Sequence, residues 1–543
     1  SEARHSHTQH PVASAVMRLF RSATTSVLLV VHRGSLALLC RSVGPRPRGP
    51  RAAPAATIDA PLTAEPLAYD WRAQWYPAGF VVDVPAPPEP MAFSIFDEQL
   101  VLWRDSRDGI RCVEDRCPHR LAALSQGAVE PDGSLRCFYH GWQFDGATGQ
   151  CSKIPQLAEG ASIPRTARAR TYPTFVREGI AWVWLVPDGL PTRDPPATVD
   201  DLDARRKDFQ IYDYAIDLPY DHTWLVENLA DPAHIPISHD RTEGGGRREL
   251  AEAYDMEIHV SLSACSVESP PVLTLAPQET TSDGFVGRYK GANKTSWTEA
   301  RFEAPGIIRY RTTRPATPSK PEMVFGAALH CVPRGRGLSR LLFRTYFTKK
   351  SVPRAALWLL SLKPQWLRNL NSCKVLEQDV GLITSQEDAI RRTHRPLATD
   401  CLPLKSTDGF VVAYRKWLDR VSAAWPHVPV GWTVAPSSSD ESGVSGEAPG
   451  FPHVSHPSHR SRLSRIHNHV AISSASRGAL RNVVRARDAA LVAFALSTVA
   501  TAAASTATLP LACAALASAA VAGGAAKLER CFYRNFDRHK WRP

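Results

Sequence analysis

The chain has 543 residues, 43% of them apolar, and a formal net charge of +12. That length supports two or three packed units, and the charge is not a nucleic-acid footprint, because the stretch from about residue 65 to 430 mixes both signs. Eleven cysteines, odd in number and irregularly spaced, exclude a disulfide framework.

The first 58 residues hold eight Arg, no Lys and a single acidic residue, Glu2, in a background rich in Ser and Ala. Residues 1–60 therefore read as an organelle transit peptide, with a plain disordered tail as the alternative. The apolar run from Ser26 to Cys40 is broken by His32 and Arg33 and makes a poor secretory core, while Pro45 to Pro54 reads as a Pro/Arg linker.

Between Phe93 and Pro187, short runs such as Leu100–Trp103 and Ile180–Val186 alternate with turn residues, which suits a small antiparallel β domain over residues 65–190. Two clusters interrupt it: Cys117-Pro118-His119 and Cys137-Phe138-Tyr139-His140. Each places one Cys and one His on a loop tip, so each tip can give a sulfur to one iron and a nitrogen to the other. Two thiolates with two imidazoles form the ligand set of a Rieske [2Fe-2S] cluster. Zinc accepts the same donors but usually as Cys pairs and His pairs. Four unrelated buried residues would leave Gly127, Gly133, Gly141, Gly146 and Trp142 around them unexplained. Cys112, five residues before Cys117 in a strand-like run, reads as packing.

From about Leu202 to Val430, strand candidates including Arg309–Thr312 and Leu341–Phe347 predict a helix-flanked antiparallel sheet, giving a catalytic unit over residues 200–430. It contains Glu227-Asn228-Leu229-Ala230-Asp231-Pro232-Ala233-His234-Ile235-Pro236-Ile237-Ser238-His239. Non-haem Fe(II) oxygenases hold iron with two His and one carboxylate and leave the other positions open. His234 and His239 are the candidate imidazoles. Five residues apart on an ideal helix they would diverge, so the spacing predicts a bend at Pro236. Asp231, three residues before His234, is expected on the same helical face, as a ligand or as a partner for an imidazole N–H. For the third ligand, Asp379, Glu377, Glu387 and Asp388 remain open on the residues alone.

Residues 435–460 are rich in Ser, Gly, Pro and His and read as a flexible linker, with the catalytic core ending before it. Beyond it, Ala489 to Ala526 is a run of 38 residues without charge. One bilayer crossing needs about 20 apolar residues, so the run is long enough for a transmembrane hairpin turning near Thr508-Leu509-Pro510. An Ala-rich soluble helical pair is the alternative. Basic residues on both sides, from Arg481 to Arg534, would keep both ends on one side of the membrane.

The runs from Cys117 to Gly127, Cys137 to Asp145 and Ile154-Pro155-Gln156, preceded by Tyr69-Asp70-Trp71 and Gln74-Trp75-Tyr76-Pro77, resemble the plant and algal Rieske non-haem iron oxygenases of the pheophorbide a oxygenase and chlorophyllide a oxygenase group. The resemblance continues through Glu227–His234 to Leu376-Glu377-Gln378-Asp379 and covers roughly residues 65 to 425. It implies an α+β chain: a Rieske domain, a catalytic mononuclear-iron domain and a C-terminal membrane hairpin, set in a chloroplast membrane, thylakoid or inner envelope. It also implies Cys117, His119, Cys137 and His140 as cluster ligands, and His234, His239 and Asp379 as ligands of Fe(II). Asp231 corresponds to the residue that links the Rieske histidine of one subunit to the iron of the next, in a head-to-tail trimer. The substrates would be O2 and a chlorophyll-derived tetrapyrrole of the pheophorbide a or chlorophyllide a type; the alternatives are a Rieske oxygenase acting on another apolar ring, such as a sterol or aromatic acid, and a membrane Rieske protein that passes electrons or regulates a translocon. No Gly-x-Gly-x-x-Gly run follows a strand candidate, so electrons are expected from a ferredoxin-type protein rather than from bound NAD or FAD. The group's Cys-x2-Cys pair ahead of the membrane helices is replaced here by Ser473 and Ser476, which puts a thiol switch at that place in doubt.

Overall fold

The computed structural model describes residues 69–197, 199, 202, 206–259, 283–318, 321–421, 464–503 and 509–533, apart from 293 and 394. The expected transit segment at 1–60 and linker at 435–460 lie outside these residues, as does the connection at 504–508.

The N-terminal unit is built from ten short strands in three antiparallel sheets. Strand β1 (Trp75–Phe80) pairs with β10 (Ile180–Trp184), which pairs with β9 (Thr174–Arg177); β2 (Met91–Ile95), β3 (Glu98–Arg104) and β4 (Ile110–Glu114) form a meander. The third sheet joins β5 (Ala128–Val129), β6 (Leu135–Arg136), β7 (Gln143–Phe144) and β8 (Cys151–Lys153). Its strands are only two or three residues long and could not stand alone. They are held by a separate core in which Val101, Trp103, Leu135 and Phe144 pack beside Cys117 and Cys137.

The second unit is a seven-stranded antiparallel sheet in the order β11-β17-β16-β15-β14-β13-β12. These strands are β11 (Phe209–Leu218), β12 (Tyr254–His259), β13 (Gly284–Gly291), β14 (Thr298–Glu303), β15 (Ile307–Arg314), β16 (Met323–Gly335) and β17 (Leu338–Thr348). The register aligns Tyr214, Phe343, Leu329, Ile308, Phe302 and Phe285 in one row across six strands. Alternation puts that apolar row on a single face. Because β11 and β12 occupy opposite edges, the segment joining them must traverse six strand spacings, roughly 29 Å. That crossing segment carries both candidate histidines.

It begins as helix α1 (His222–Ala230), whose first turn is capped by the Asp221 side chain accepting from Thr223 N at 2.9 Å. Tyr310 on β15 donates from its hydroxyl to Leu229 O at 2.7 Å and fixes the far end of α1 to the sheet. The helix stops at Asp231, which is extended (φ −97, ψ 102), as a residue before proline prefers to be. A short helix α2 (Ile235–Ser238) then starts with Pro236 in its first turn, His234 capping one end and His239 the other. Two sequence expectations are corrected here. Asp231 and His234 do not share a helical face, and Pro236 starts a new helix instead of bending an old one; the break falls at Pro232.

After β17 come α3 (Arg354–Ser361), the long α4 (Gln365–Thr393), α5 (Leu397–Asp400) and α6 (Gly409–Val421). Helix α4 runs along the sheet and α1, carrying Asp379 on its buried side. The C-terminal pair consists of α7 (Ser474–Ala503) and α8 (Leu509–Tyr533), packed along each other. Among the described residues only α8 is long and apolar enough to cross a membrane. Helix α7 begins 15 residues before the uncharged run, and its first half carries Arg477, Arg481, Arg485, Arg487 and Asp488. Its second half exposes Leu491, Val492, Leu496 and Val499. The expectation that the catalytic core ends before the linker is also corrected: residues 464–473 pack on α4, where Ser473 Oγ accepts from Asn369 Nδ2 at 2.9 Å and Val470 and Phe532 bury against Leu370.

Candidate metal centres

The two N-terminal loops have the same backbone. Cys117 N donates to Ala122 O and Leu121 N to Cys117 O; Cys137 N donates to Trp142 O and Gly141 N to Cys137 O, with all four bonds at 2.8–2.9 Å. The fifth position of each loop has positive φ, +61 at Leu121 and +75 at Gly141. Glycine meets that requirement without strain, whereas Leu121 adopts it at a cost and remains 64% exposed. The repeat brings both sulfurs inward, each residue 2% exposed, and the imidazoles of His119 and His140 to 4.4 Å between centroids. Trp142 stacks on His119 at 4.6 Å and 6°.

Burial, with Cys137 beside it, pushes the Cys117 thiol up to about 11. Sulfurs so placed bind a metal only as thiolates, whose charge the metal itself would offset. His119 Nδ1 is buried without a hydrogen-bond partner. Two soft sulfurs and two imidazoles, one of them with an unpartnered Nδ1, fit a [2Fe-2S] cluster.

In the second unit, His234, His239 and Asp379 offer ligand atoms that all lie within 4.8 Å of one another. His239 Nε2 is 3.3 Å and His234 Nε2 3.8 Å from the same Asp379 oxygen. Asp379 and His239 are buried; His234 keeps 19% of its side chain exposed. The Nδ1 atoms turn away from Asp379, that of His239 to a hydrogen-bond partner and that of His234 toward Asp231. His239 Nδ1 meets Gln378 Oε1 at 2.9 Å, and Gln378 Nε2 donates to Thr242 Oγ1 at 2.9 Å. Because an amide oxygen only accepts, His239 carries its proton on Nδ1 and presents a bare Nε2.

His234 Nδ1 faces Asp231 Oδ2 at 3.4 Å, while Asp231 Oδ1 accepts from Ala233 N at 2.7 Å. Burial lowers the His234 pKa, but Asp231 and Asp379 overcome this and raise it above its ordinary value. The loop after α2 closes tightly over the site: a Cβ on Gly245 would lie 2.2 Å from His239 O. Two imidazole lone pairs and a carboxylate drawn together within 4.8 Å fit a facial Fe(II) set.

Of the four carboxylates left open by the sequence, Asp379 is the one beside the histidines. Glu377, about 200° away around α4, is paired with Arg465 and His469. Gln378, Thr242 and Asn228, whose Oδ1 is buried without a hydrogen-bond partner, were not singled out from the sequence. Gln378 adjoins Asp379 and Thr242 follows His239 by three residues, but spacing alone does not mark either as an imidazole partner.

A Rieske [2Fe-2S] domain model matches residues 74–173 and a pheophorbide a oxygenase model residues 302–396. Protein TIC 55, chloroplastic, of Pisum sativum is 38% identical over 367 residues, 66% of this chain and 60% of that protein. Pheophorbide a oxygenase, chloroplastic, of Arabidopsis thaliana is 29% identical over 66% of this chain and 65% of its own length. Chlorophyllide a oxygenase, chloroplastic, of Chlamydomonas reinhardtii is 27% identical over 78% and 58%. The chain thus spans about three fifths of the length of the TIC 55 relative. With a Rieske match followed by a pheophorbide a oxygenase match in one chain, it is similar to the Rieske non-haem iron oxygenases of the pheophorbide a oxygenase and chlorophyllide a oxygenase group.

Proposed function

We propose that this chain is a Rieske oxygenase that inserts oxygen into a chlorophyll-derived tetrapyrrole of the pheophorbide a or chlorophyllide a type, using electrons from a ferredoxin-type donor. The observation that carries the reading is the convergence of His234 Nε2 and His239 Nε2 on Asp379, in a chain that also holds the Cys117, His119, Cys137, His140 set. A [2Fe-2S] cluster held by Cys117, His119, Cys137 and His140 would supply single electrons, and Fe(II) held by His234, His239 and Asp379 would supply the chemistry of O2 activation.

The residues prepare both sites. Cys117 and Cys137 hold their sulfurs away from water, and Trp142 fixes the plane of His119. Gln378 holds the His239 tautomer, and Asp231 holds the Nδ1 side of His234. Asp231 and His234 are the more exposed edge of the iron site, at 25% and 19% of their side chains. At the cluster tip Leu121, Phe138 and Tyr139 are exposed by 59–64%. A neighbouring subunit's tip against the Asp231 edge would bury that apolar surface in a head-to-tail homotrimer.

The experiment reduces the purified cluster and follows its reoxidation with O2, with and without pheophorbide a or chlorophyllide a. Substrate should accelerate it. Asp231→Ala should reduce normally but reoxidise roughly tenfold to a hundredfold more slowly, the usual loss for an outer partner of a metal ligand. A wild-type rate that ignores both substrates, or an Asp231→Ala rate equal to wild type, would contradict the respective role.

The chloroplastic relatives and the apolar α8 support a place in a chloroplast membrane, thylakoid or inner envelope. Carbonate washing of those membranes should leave the protein in the pellet. Release into the supernatant would mean that α8 packs on protein, since a spanning helix cannot leave lipid without exposing its apolar surface. A second reading is a membrane Rieske protein that passes electrons onward or regulates a translocon. The assembled His-His-Asp set weighs against it, because a pure electron carrier has no need of a second metal site.

A further inference from the structure

Glu377 stands two residues before Asp379 on α4, with its carboxylate turned to the opposite side of the helix. It is fully buried and paired across 88 residues of chain with Arg465, whose Nε and Nη2 reach its two oxygens. His469 Nε2 adds a hydrogen bond to Oε1 at 3.0 Å. Arg465 Nη1 also donates to Cys531 O at 2.8 Å, which ties the same node to the end of α8. The segment leading into the C-terminal helix pair therefore grips the back of the helix that presents Asp379 and Gln378.

An apolar contact could hold α4 down as firmly as this buried triad does, but it would let the helix slide. A forked guanidinium–carboxylate pair does not, because both bonds require one relative setting. A slip of one residue, about 1.5 Å along the axis with a 100° turn, would take Asp379 away from His239 Nε2, now 3.3 Å distant, and Gln378 away from Nδ1.

We propose that Arg465 and His469 are positioning residues of the iron site: acting through Glu377 they fix the axial and rotational setting of α4, and with it the meeting of Asp379 and Gln378 with the two histidines. The inference rests on the Fe(II) reading of that site.

The test titrates Fe(II) anaerobically into the full chain with its cluster already assembled, and records the electron paramagnetic resonance of the nitric oxide adduct as a measure of ligand symmetry. Wild type should take up one iron beyond the two of the cluster. His469→Leu should bind it more weakly, by less than the roughly tenfold loss that removing a direct partner of a metal ligand brings, with an altered adduct signal. His469→Gln, which keeps an Nε2 donor for Glu377, should return to near wild-type affinity, and the Rieske signal should be the same in all three. If His469→Leu does not fold, Arg465→Lys carries the test, since it keeps the charge and loses the fork; weaker iron binding with an intact Rieske signal is the expected result. Affinity and adduct signal equal to wild type in the folded variant would overturn the inference alone. A wild-type chain that takes up no third iron would overturn the site reading and the inference together.

Discussion

Replacing Asp379 by Ala should bring oxygenation down to background while the Rieske absorption persists. Asp379 is the one anionic ligand candidate, is 2% exposed, and lies within 3.8 Å of both Nε2 atoms. Its loss removes a candidate ligand and the carboxylate that lies nearest both Nε2 atoms. The cluster-bearing loops pack in their own core under β3 and β6, so their spectrum is the internal control. Gln378→Ala should cost less, roughly tenfold to a hundredfold, because the His239 ring loses an orienting partner but the ligand set stays complete. Iron content and product formation measure both. Retained turnover in Asp379→Ala would pass the role to another carboxylate.

The second large effect concerns the cluster. His140→Cys replaces one neutral imidazole by a thiolate and adds negative charge to the iron that both imidazoles serve. The potential should fall from the Rieske range of about −150 to +300 mV toward the roughly −400 mV of all-thiolate [2Fe-2S] ferredoxins. Redox titration monitored by electron paramagnetic resonance gives the number. Purified wild-type protein holding zinc and no acid-labile sulfide would sink the assignment.

The candidate cluster residues are legible in the sequence because both loops state the chemistry within four residues, and the paired hydrogen bonds of Cys117 and Cys137 show why the motif is compact. His234 and His239 are legible as a pair, but their geometry is not. The break that aims them comes from Pro232 forcing Asp231 out of helix, whereas Pro236 is harmless in a first turn. Asp379 could not be told from Glu377 by residue type: both lie buried on one 29-residue helix, and only packing decides which face meets the histidines. The contribution of Arg465 and His469 is hidden for a related reason. Their surroundings, Ser464-Arg465-Ile466-His467-Asn468-His469, are polar and continue the look of a linker, because what they bury is a charge rather than an apolar side chain. At the C-terminus, the uncharged run marks the apolar part of the helix pair, while the start of α7 packs on α4.

The most direct measurement is a single turnover under 18O2. The purified protein, reduced at its cluster and freed of excess reductant, is mixed with pheophorbide a or chlorophyllide a, and the extracted pigment is examined by mass spectrometry. The account predicts an oxygenated tetrapyrrole carrying label from 18O2, formed in step with cluster reoxidation and absent with Asp379→Ala. Reoxidation without any labelled pigment from either substrate would contradict it and leave the electron-transfer reading in its place.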